Sequence, residues 1–503
     1  MTDPSQAPAL TASAAQVTGT SRGSVPEVGV FAFGLVLGQA LSAATTPVFT
    51  RILGPSEFGV FDVLTVLTVL VGTLLLAGLD QALVRSYFDD DADAAHTAVA
   101  STGFTLVVIT GVVGCALLAP WAAPLGRLML GRGGHTGAVL AALVGIPFSV
   151  AVAYVIEVVR VERRAGPFTI LGVVRAVAGA AAGILLVVVA DQKAEGVILG
   201  LAVGSAAALA YGVAVVRHRL RLNVHRVELR RMLSFGLPLI PTGIAFWSLM
   251  VVDRLVLVHY VSLRQVGYYA LGNKIALLLL WAVYGFRAGW TPVMLRDHVR
   301  DAAKAIQERA DWLQQSVALT ALAAALLGAL AVELTLLGGG RDFRLAARIV
   351  PLMLVAIVFF SSTIVVQSPM IVTRRTRVIA GHTVGSAIVN LVACFVLVPV
   401  WGIYGAAVAT VLGFAYLSVG FYLSAQQITR APYRLGALAT TVALVGPYLL
   451  LGQVQVGPLW TSVPVKLAAI ALLPWVMGRL GLLPLGRGRE AVDRLRRLSG
   501  RSA

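Results

Sequence analysis

Long apolar stretches separated by short polar loops recur along almost the whole chain, between residues 28 and 485. Each stretch is about 17 to 28 residues long, which at about 1.5 Å per residue matches the roughly 30 Å hydrocarbon core of a bilayer. A soluble helix would carry a polar face, and a strand of a membrane barrel would alternate polar and apolar residues over about ten positions. The pattern therefore predicts an all-α polytopic membrane protein with about 14 transmembrane helices.

Hydrophobic residues make up 58% of the chain, which is more than the core of one soluble domain needs. The loops bound each predicted helix to within a few residues. The predicted helices cover 28–50, 58–79, 98–125, 137–159, 168–190, 196–216, 234–258, 265–292, 313–337, 346–372, 378–400, 402–424, 435–453 and 459–478.

Basic residues are distributed unevenly between the two sides of the predicted membrane. Of the 40 Lys and Arg residues, 27 lie in the two tails and one alternating set of loops, 7 in the other set and 6 within apolar stretches. Because cytoplasmic loops carry an excess of Lys and Arg, both termini are predicted to be cytoplasmic. The net charge of +17 then indicates contact with anionic membrane lipids, at the linker 217–233 and the tail 486–503, in preference to nucleic acid.

Weak internal similarity divides the chain into two halves. Three short landmarks recur at offsets of 206 to 211 residues: 59–61 and 267–269, 196–197 and 402–403, and 163–164 and 374–375. An even number of helices per half gives a parallel repeat about an axis along the membrane normal, so we expect two six-helix lobes around a central cavity. The predicted units are a disordered cytoplasmic tail (1–27), an N-lobe (28–216), the basic linker (217–233), a C-lobe (234–424), helices 13 and 14 (425–485) and the basic tail (486–503).

No constellation of residues in the sequence indicates catalysis. Cys115 and Cys394 are the two cysteines, both within apolar stretches, and the seven His residues are scattered. The largest polar loops, at about 15 to 20 residues, are too short for an enzymatic domain. We therefore expect no enzymatic activity, no cofactor and no metal site.

Basic residues within apolar stretches are the first candidates for function, because each costs about 2.5 to 3.5 kcal/mol on insertion scales. Lys274 lies about nine residues into the eighth helix, too deep to reach either surface easily, so it is predicted to face the cavity, with a structural ion pair as the alternative. For Arg287 and Arg175, extension of the side chain to the membrane surface competes evenly with a role in the cavity.

Acidic residues form a second group of candidates. Asp62 and Asp253 could bind a coupling proton or Na⁺, although a structural salt bridge is the more usual role of such residues. Asp253 and Arg254 are adjacent on a helix, where neighbouring side chains do not face one another, so they are not expected to pair. Pro238 and Pro241, at the start of the seventh helix, predict a bend or a local opening there.

Several segments resemble the polysaccharide and O-antigen flippases of the multidrug/oligosaccharidyl-lipid/polysaccharide (MOP) exporter superfamily. The resemblance covers about residues 28–424. The segments that carry it are specific for the family in combination and weak singly. The segments are TRILGPSEFGVF (50–61), GLDQALVR (78–85), FGLPLIPTG (235–243) followed by DRLVL (253–257), VGYYALGNK (266–274) and VPVWGIYGAAVAT (398–410).

The resemblance implies a fourteen-helix transporter of the bacterial cytoplasmic membrane that opens alternately to each side. Its substrate would be a lipid-linked oligosaccharide, moved from the inner to the outer leaflet for cell-surface polysaccharide synthesis. Members of the family line the cavity with Arg and Lys that hold the carrier's pyrophosphate. By motif these residues are Arg51, Arg85, Arg254 and Lys274, whereas Arg175 and Arg287 are added on depth alone. For Arg51 and Arg85, which lie at the ends of predicted helices, a role as flanking membrane anchors is the alternative.

Other functions stay open at this point. A peptidoglycan lipid II flippase would share the same lipid-pyrophosphate chemistry. A cation-coupled drug exporter would need deep carboxylates, whereas the deep charges here are mostly basic. A structural membrane protein or a polymerase-like partner is the third alternative, and a polymerase would be expected to carry a large outer loop. Coupling to H⁺ or Na⁺ and association with envelope glycan-assembly proteins are further expectations.

Overall fold

The computed structural model describes residues 25–89, 92–131, 135–455 and 457–483. Every regular element within these ranges is a helix, which confirms the predicted fold class. Residues 1–24 of the predicted N-terminal tail and the whole predicted tail 486–503 lie outside the described residues.

The helices follow the apolar stretches in chain order, and three short 3₁₀ turns interrupt them at Ala119–Trp121, Leu237–Leu239 and Arg341–Arg348. The helices are α1 (Val25–Leu76), α2 (Leu79–Tyr87), α3 (Asp93–Leu118), α4 (Ala122–Leu130), α5 (Thr136–Val161), α6 (Ala165–Val189), α7 (Ala194–Val216), α8 (Arg226–Gly236), α9 (Ile240–Tyr260), α10 (Leu263–Arg300), α11 (Ala302–Ala329), α12 (Ala331–Gly339), α13 (Val350–Val366), α14 (Ser368–Val372), α15 (Thr376–Trp401), α16 (Ile403–Ile428), α17 (Leu435–Leu451) and α18 (Leu459–Arg479).

Twelve helices in the described residues are long and apolar enough to cross a membrane, two fewer than predicted. One difference lies in α1, where the first two predicted helices run together across a break at Gly54, with φ 68° and ψ 175°. Glycine adopts this backbone conformation without the steric cost of a Cβ atom. The other is α17, which is apolar but has only 17 residues. The end of the bundle that contains Gly54 is called the Gly54 end below.

Small residues allow close helix packing within each half. In the N-terminal half, Gly179 and Gly183 of α6 face Gly200 and Gly204 of α7, and a Cβ added at Gly200 or Gly204 would meet the backbone of α6. In the C-terminal half, α15 pairs with α16, and α17 and α18 pack against α11. The two halves meet where α1 packs against α9, α10 and α12.

The linker between the halves is packed against the N-terminal half. Met232 of α8 is fully buried, the backbone N–H of His225 donates to the Thr102 hydroxyl (3.0 Å), and the backbones of Gly236 and Gly78 touch. The predicted bend at the two prolines is not a kink within a helix. The 3₁₀ turn separates α8 from α9, and Pro241 occupies the first turn of α9, where a backbone N–H has no helical partner to lose.

Candidate functional site

Four charged residues singled out in the sequence meet where the two halves touch. Asp62 projects from α1, Asp253 and Arg254 from α9, and Lys274 from α10. Asp62, Asp253 and Arg254 are only 7%, 3% and 4% exposed. The set of Asp62, Asp253, Arg254, Lys274 and Tyr269 is called the interlobe cluster below.

Arg254 is the centre of the interlobe cluster. Its Nε donates to Oδ2 of Asp62 at 3.1 Å, across the boundary between the halves, and its Nη1 donates to Oδ1 of Asp253 at 2.8 Å. Nη1 also donates to the carbonyl of Met250 at 2.6 Å. The hydroxyl of Tyr269 donates to the second oxygen of Asp253. Both carboxylates are thus bound by donors, as buried charges require.

The expectation that Asp253 and Arg254 do not pair is wrong. Oδ1 of Asp253 accepts both the backbone N–H of Arg254, at 2.9 Å, and the guanidinium of the same residue. The rule that adjacent helical side chains point apart holds for short side chains. A long guanidinium can fold back along its own helix, and burial favours this arrangement because a free guanidinium would be left without acceptors.

Lys274 enters the interlobe cluster beside two aromatic rings of α1. Its Nζ lies 5.3 Å from the ring centre of Phe61 and 5.6 Å from that of Phe58, within the range of a cation–π contact. Lys274 also interacts electrostatically with Asp62 and Arg254. Two cations and two carboxylates therefore balance within one buried cluster.

The Gly54 end is sealed by direct contact between the halves next to the interlobe cluster. The Thr50 hydroxyl donates to the carbonyl of Gly338, and Nη2 of Arg51 donates to the carbonyl of Leu337 at 3.0 Å. Gly59 and Gly267 bring the backbones of α1 and α10 together so closely that a Cβ at either position would collide with a carbonyl oxygen.

The remaining predicted cavity residues lie elsewhere. Arg51 is at the sealed Gly54 end and exposed. Arg85 is exposed on α2, with its guanidinium 4.6 Å from the ring centre of Phe235 in α8. Arg175 is exposed on α6, and Arg287 is exposed on α10, thirteen residues beyond Lys274. The contacts described for the interlobe cluster involve none of these four arginines.

Sequence reasoning missed two parts of the buried polar structure. Tyr269 was part of a recognised motif but had no assigned role. A second ion pair joins Glu333 of α12 to Lys466 of α18, with Nζ 2.8 Å from Oε1 and 2.9 Å from Oε2, and the Ser462 hydroxyl also donates to Glu333. The signal was present, because Glu333 and Lys466 are opposite charges inside predicted spans, and such charges need partners. These three residues are called the accessory clamp below.

The chemistry available in the interlobe cluster is that of hydrogen bonding and charge. A guanidinium and an ammonium are the groups that bind phosphate oxygens most strongly, and the two carboxylates compete for them. Within the described residues, no group of three His, Cys, Asp or Glu side chains could hold a metal ion.

Comparison with known proteins gives a family and a fold. A model of the family described as polysaccharide biosynthesis protein matches residues 48–337, more than half of the chain. Among curated proteins, none matches the sequence.

Solved structures share the fold at low sequence identity. A structure of "Lipid II flippase MurJ, inward closed conformation" has 12% identity and a TM-score of 0.73, covering 89% of this chain and 98% of that one. A multidrug resistance MATE family transporter of the MOP superfamily has 15% identity and a TM-score of 0.65 in its inward-facing conformation, over 80% of this chain and 96% of that one. An outward-facing conformation gives 14% identity and a TM-score of 0.58, over 82% and 96%.

Proposed function

Because the chain belongs to the polysaccharide biosynthesis protein family and has the fold of MOP-superfamily transporters, we propose that it flips a lipid-linked oligosaccharide across the bacterial cytoplasmic membrane. The cargo is a polyprenyl pyrophosphate oligosaccharide that moves from the cytoplasmic to the outer leaflet. The observation that carries the proposal is the hydrogen bond from Arg254 to Asp62. This bond joins the two halves beside Lys274.

The Gly54 end is the outer face in this proposal. The excess of basic residues in the tails and in the loops at the opposite end supports this orientation. With the Gly54 end sealed, the protein is in a state closed to the outside. The higher TM-score against the inward-facing MATE conformation than against the outward-facing one agrees with that state.

The interlobe cluster serves as the outer gate and as the anion site in turn. In the sealed state Arg254 is held by Asp62 and Asp253, so its positive charge is already balanced. A diphosphate that reaches the cluster competes with the carboxylates for Arg254 and Lys274. When Arg254 leaves Asp62 for the cargo, the bond between the halves is lost and the Gly54 end opens. Cargo binding and gate opening then occur in the same step, in which Arg254 exchanges Asp62 for the diphosphate.

Asp62 and Asp253 are the ion-coupling groups in this mechanism. A proton or a Na⁺ ion on either carboxylate removes the negative charge that holds Arg254, and leaves the cluster with a surplus positive charge for the diphosphate. The membrane potential assists, because a cargo with about two negative charges gains about 4.6 kcal/mol per 100 mV when it leaves a negative-inside cytoplasm.

The test is leaflet transfer of a fluorescent polyprenyl pyrophosphate oligosaccharide in liposomes that contain the purified protein. Arg254→Gln and Lys274→Met should each reduce the transfer rate by about 30-fold or more, because loss of a buried charge contact costs about 2 to 5 kcal/mol. Arg377→Gln is the matched control, since Arg377 is an exposed arginine in the first turn of α15 and takes no part in the contacts described for the cluster. Equal transfer by all four proteins would overturn the assignment of the site.

Two other cargoes have specific support and belong in the same experiment. The likeness to a lipid II flippase favours a labelled peptidoglycan precursor, and the likeness to MATE transporters favours a small cationic drug. Transfer of the precursor alone would move the protein to the first class. Efflux of a cationic dye without any lipid transfer would move it to the second.

A further inference from the structure

The exposed face of α8 is a basic surface that the transport mechanism leaves unused. Between residues 217 and 231 the chain carries six arginines and one glutamate. On α8, the exposed residues Arg226, Arg230 and Ser234 follow one another at intervals of four, so they lie on one face of the helix. Together with Val227 and Arg231 they line an open groove.

The arginines of this face differ in their partners. The positive charge of Arg231 is balanced by two carboxylates, since its guanidinium lies 2.5 Å from Asp89 and 3.9 Å from Glu228. Arg226 and Arg230 have no carboxylate within salt-bridge distance in the described part of the chain. Two adjacent guanidinium groups with unused donors form a site that suits a phosphate monoanion or diester.

Apolar side chains on the same surface indicate what carries that phosphate. Val227, between the two arginines, is 76% exposed, and Leu222, just before α8, is 80% exposed. Exposed apolar side chains beside unpaired arginines are the pattern of a helix that lies in the headgroup region of a membrane. A free phosphate or a nucleic acid would find no use for Val227 and Leu222.

The opposite face holds α8 rigidly. Met232 is buried in the N-terminal half, Phe235 contacts the guanidinium of Arg85, and Gly236 touches Gly78. α8 begins ten residues after the apolar helix α7 ends and stops four residues before α9 starts, so both ends are tied to helices that cross the membrane. The arginine pair is therefore presented at a constant height relative to the bilayer.

We propose that Arg226 and Arg230 bind the headgroup phosphate of an anionic glycerophospholipid of the surrounding leaflet, while Val227 enters the interface. The occupant is bulk lipid and not cargo, because the groove is open along an exposed helix face and the interlobe cluster is elsewhere. The inference does not depend on which cargo the protein moves.

The experiment uses an environment-sensitive fluorophore at Val227→Cys, in a protein whose Cys115 and Cys394 are replaced by Ala. Vesicles contain phosphatidylcholine with 0 to 30 mol% phosphatidylglycerol, and lipids with a quencher in the upper acyl chain report contact. We expect the quenching to increase with the phosphatidylglycerol content of the vesicles and to decrease as the salt concentration is raised. The double variant Arg226→Gln with Arg230→Gln should lower the apparent affinity for phosphatidylglycerol by about 25-fold, because each arginine contributes about fivefold.

Controls separate the proposal from its competitors. The pair Arg374→Gln with Arg377→Gln removes two exposed arginines of the other half, one just before α15 and one in its first turn, and should leave the quenching unchanged. Arg226→Lys with Arg230→Lys keeps the charge and should retain most of the response. Equal quenching in pure phosphatidylcholine would overturn the phosphate site. A response to 1 mol% polyprenyl pyrophosphate but not to phosphatidylglycerol would assign the groove to cargo, and displacement of the label by single-stranded RNA would assign it to nucleic acid.

Discussion

The accessory clamp and the interlobe cluster are both buried groups of charges within the described residues, and they differ in what they join. The accessory clamp pairs one acid with one base inside the C-terminal half and its last helices, with Lys466 fully buried. In the interlobe cluster Arg254 pairs with two acids, one of them across the boundary between the halves, and Lys274 lies beside them over the rings of Phe58 and Phe61. In the clamp each charge has one described partner of opposite charge, whereas in the cluster Arg254 has two.

This difference separates a structural ion pair from a site that can change its state. A single buried ion pair has one stable arrangement, because loss of either partner leaves a buried charge without a counter-charge. In the interlobe cluster, Arg254 can leave Asp62 and still keep Asp253, so a change of partner costs less than the loss of one. Alternating access requires such an element with two arrangements.

The largest effect is expected from breaking the clamp. Lys466→Met leaves Glu333 buried with only the Ser462 hydroxyl as donor, and should lower the free energy of unfolding by about 3 to 5 kcal/mol. The double variant Glu333→Gln with Lys466→Met should recover most of that loss. Thermal unfolding in one detergent measures both. A double variant as unstable as the single one would contradict the reading of the clamp as an isolated pair.

A smaller and different effect is expected from Asp62→Asn. It removes the charge that holds Arg254 across the halves but leaves Asp253 in place, so the fold should persist while the sealed state loses about 1.5 to 3 kcal/mol. A cysteine at Thr50, buried at the Gly54 end, should then be labelled by a membrane-impermeant maleimide roughly 10 to 100 times faster. The native cysteines are removed first, and Arg377→Gln, at an exposed position in the first turn of α15, serves as the control that should leave the labelling rate unchanged.

The smallest effect is expected from Arg51→Ala. Arg51 is exposed and donates one hydrogen bond across the Gly54 end, to the carbonyl of Leu337. Its loss should destabilise the sealed state by about 0.5 to 1.5 kcal/mol, which is a few-fold increase in the same labelling rate. An effect as large as that of Asp62→Asn would mean that the rim and not the buried cluster holds the gate.

Much of the fold could be predicted from the sequence, because a bilayer forces each apolar stretch of sufficient length into a helix. The number of spans was less accurate at α1, where Gly54 breaks a helix without a polar loop, and at α17, which is short. The prolines before α9 were placed in the correct segment, and of the bend or local opening predicted there the structure has the local opening, as the 3₁₀ turn between α8 and α9.

Less of the candidate site could be predicted. Asp62, Asp253, Arg254 and Lys274 stood out because charges inside apolar stretches need partners, but which partner each finds depends on how the halves pack. Asp253 and Arg254 were not expected to pair because they are adjacent on a helix, but the arginine side chain is long enough to reach back to Asp253. Arg85 and Arg175 carry the same charge as Arg254, and only the three-dimensional structure distinguishes an exposed arginine from one held between two carboxylates.

The contact between Gly59 and Gly267 has a consequence for the cell's energy supply. A transporter with a polar interior is a potential short circuit for protons across the membrane in which it sits. At this one contact the backbones of α1 and α10 meet directly, so this part of the seal can separate and close again without the reordering of a side chain. A methyl group at either glycine would collide with a backbone carbonyl and keep the two helices apart, and in a membrane that holds an ion gradient the cost would be a leak even when no cargo is present.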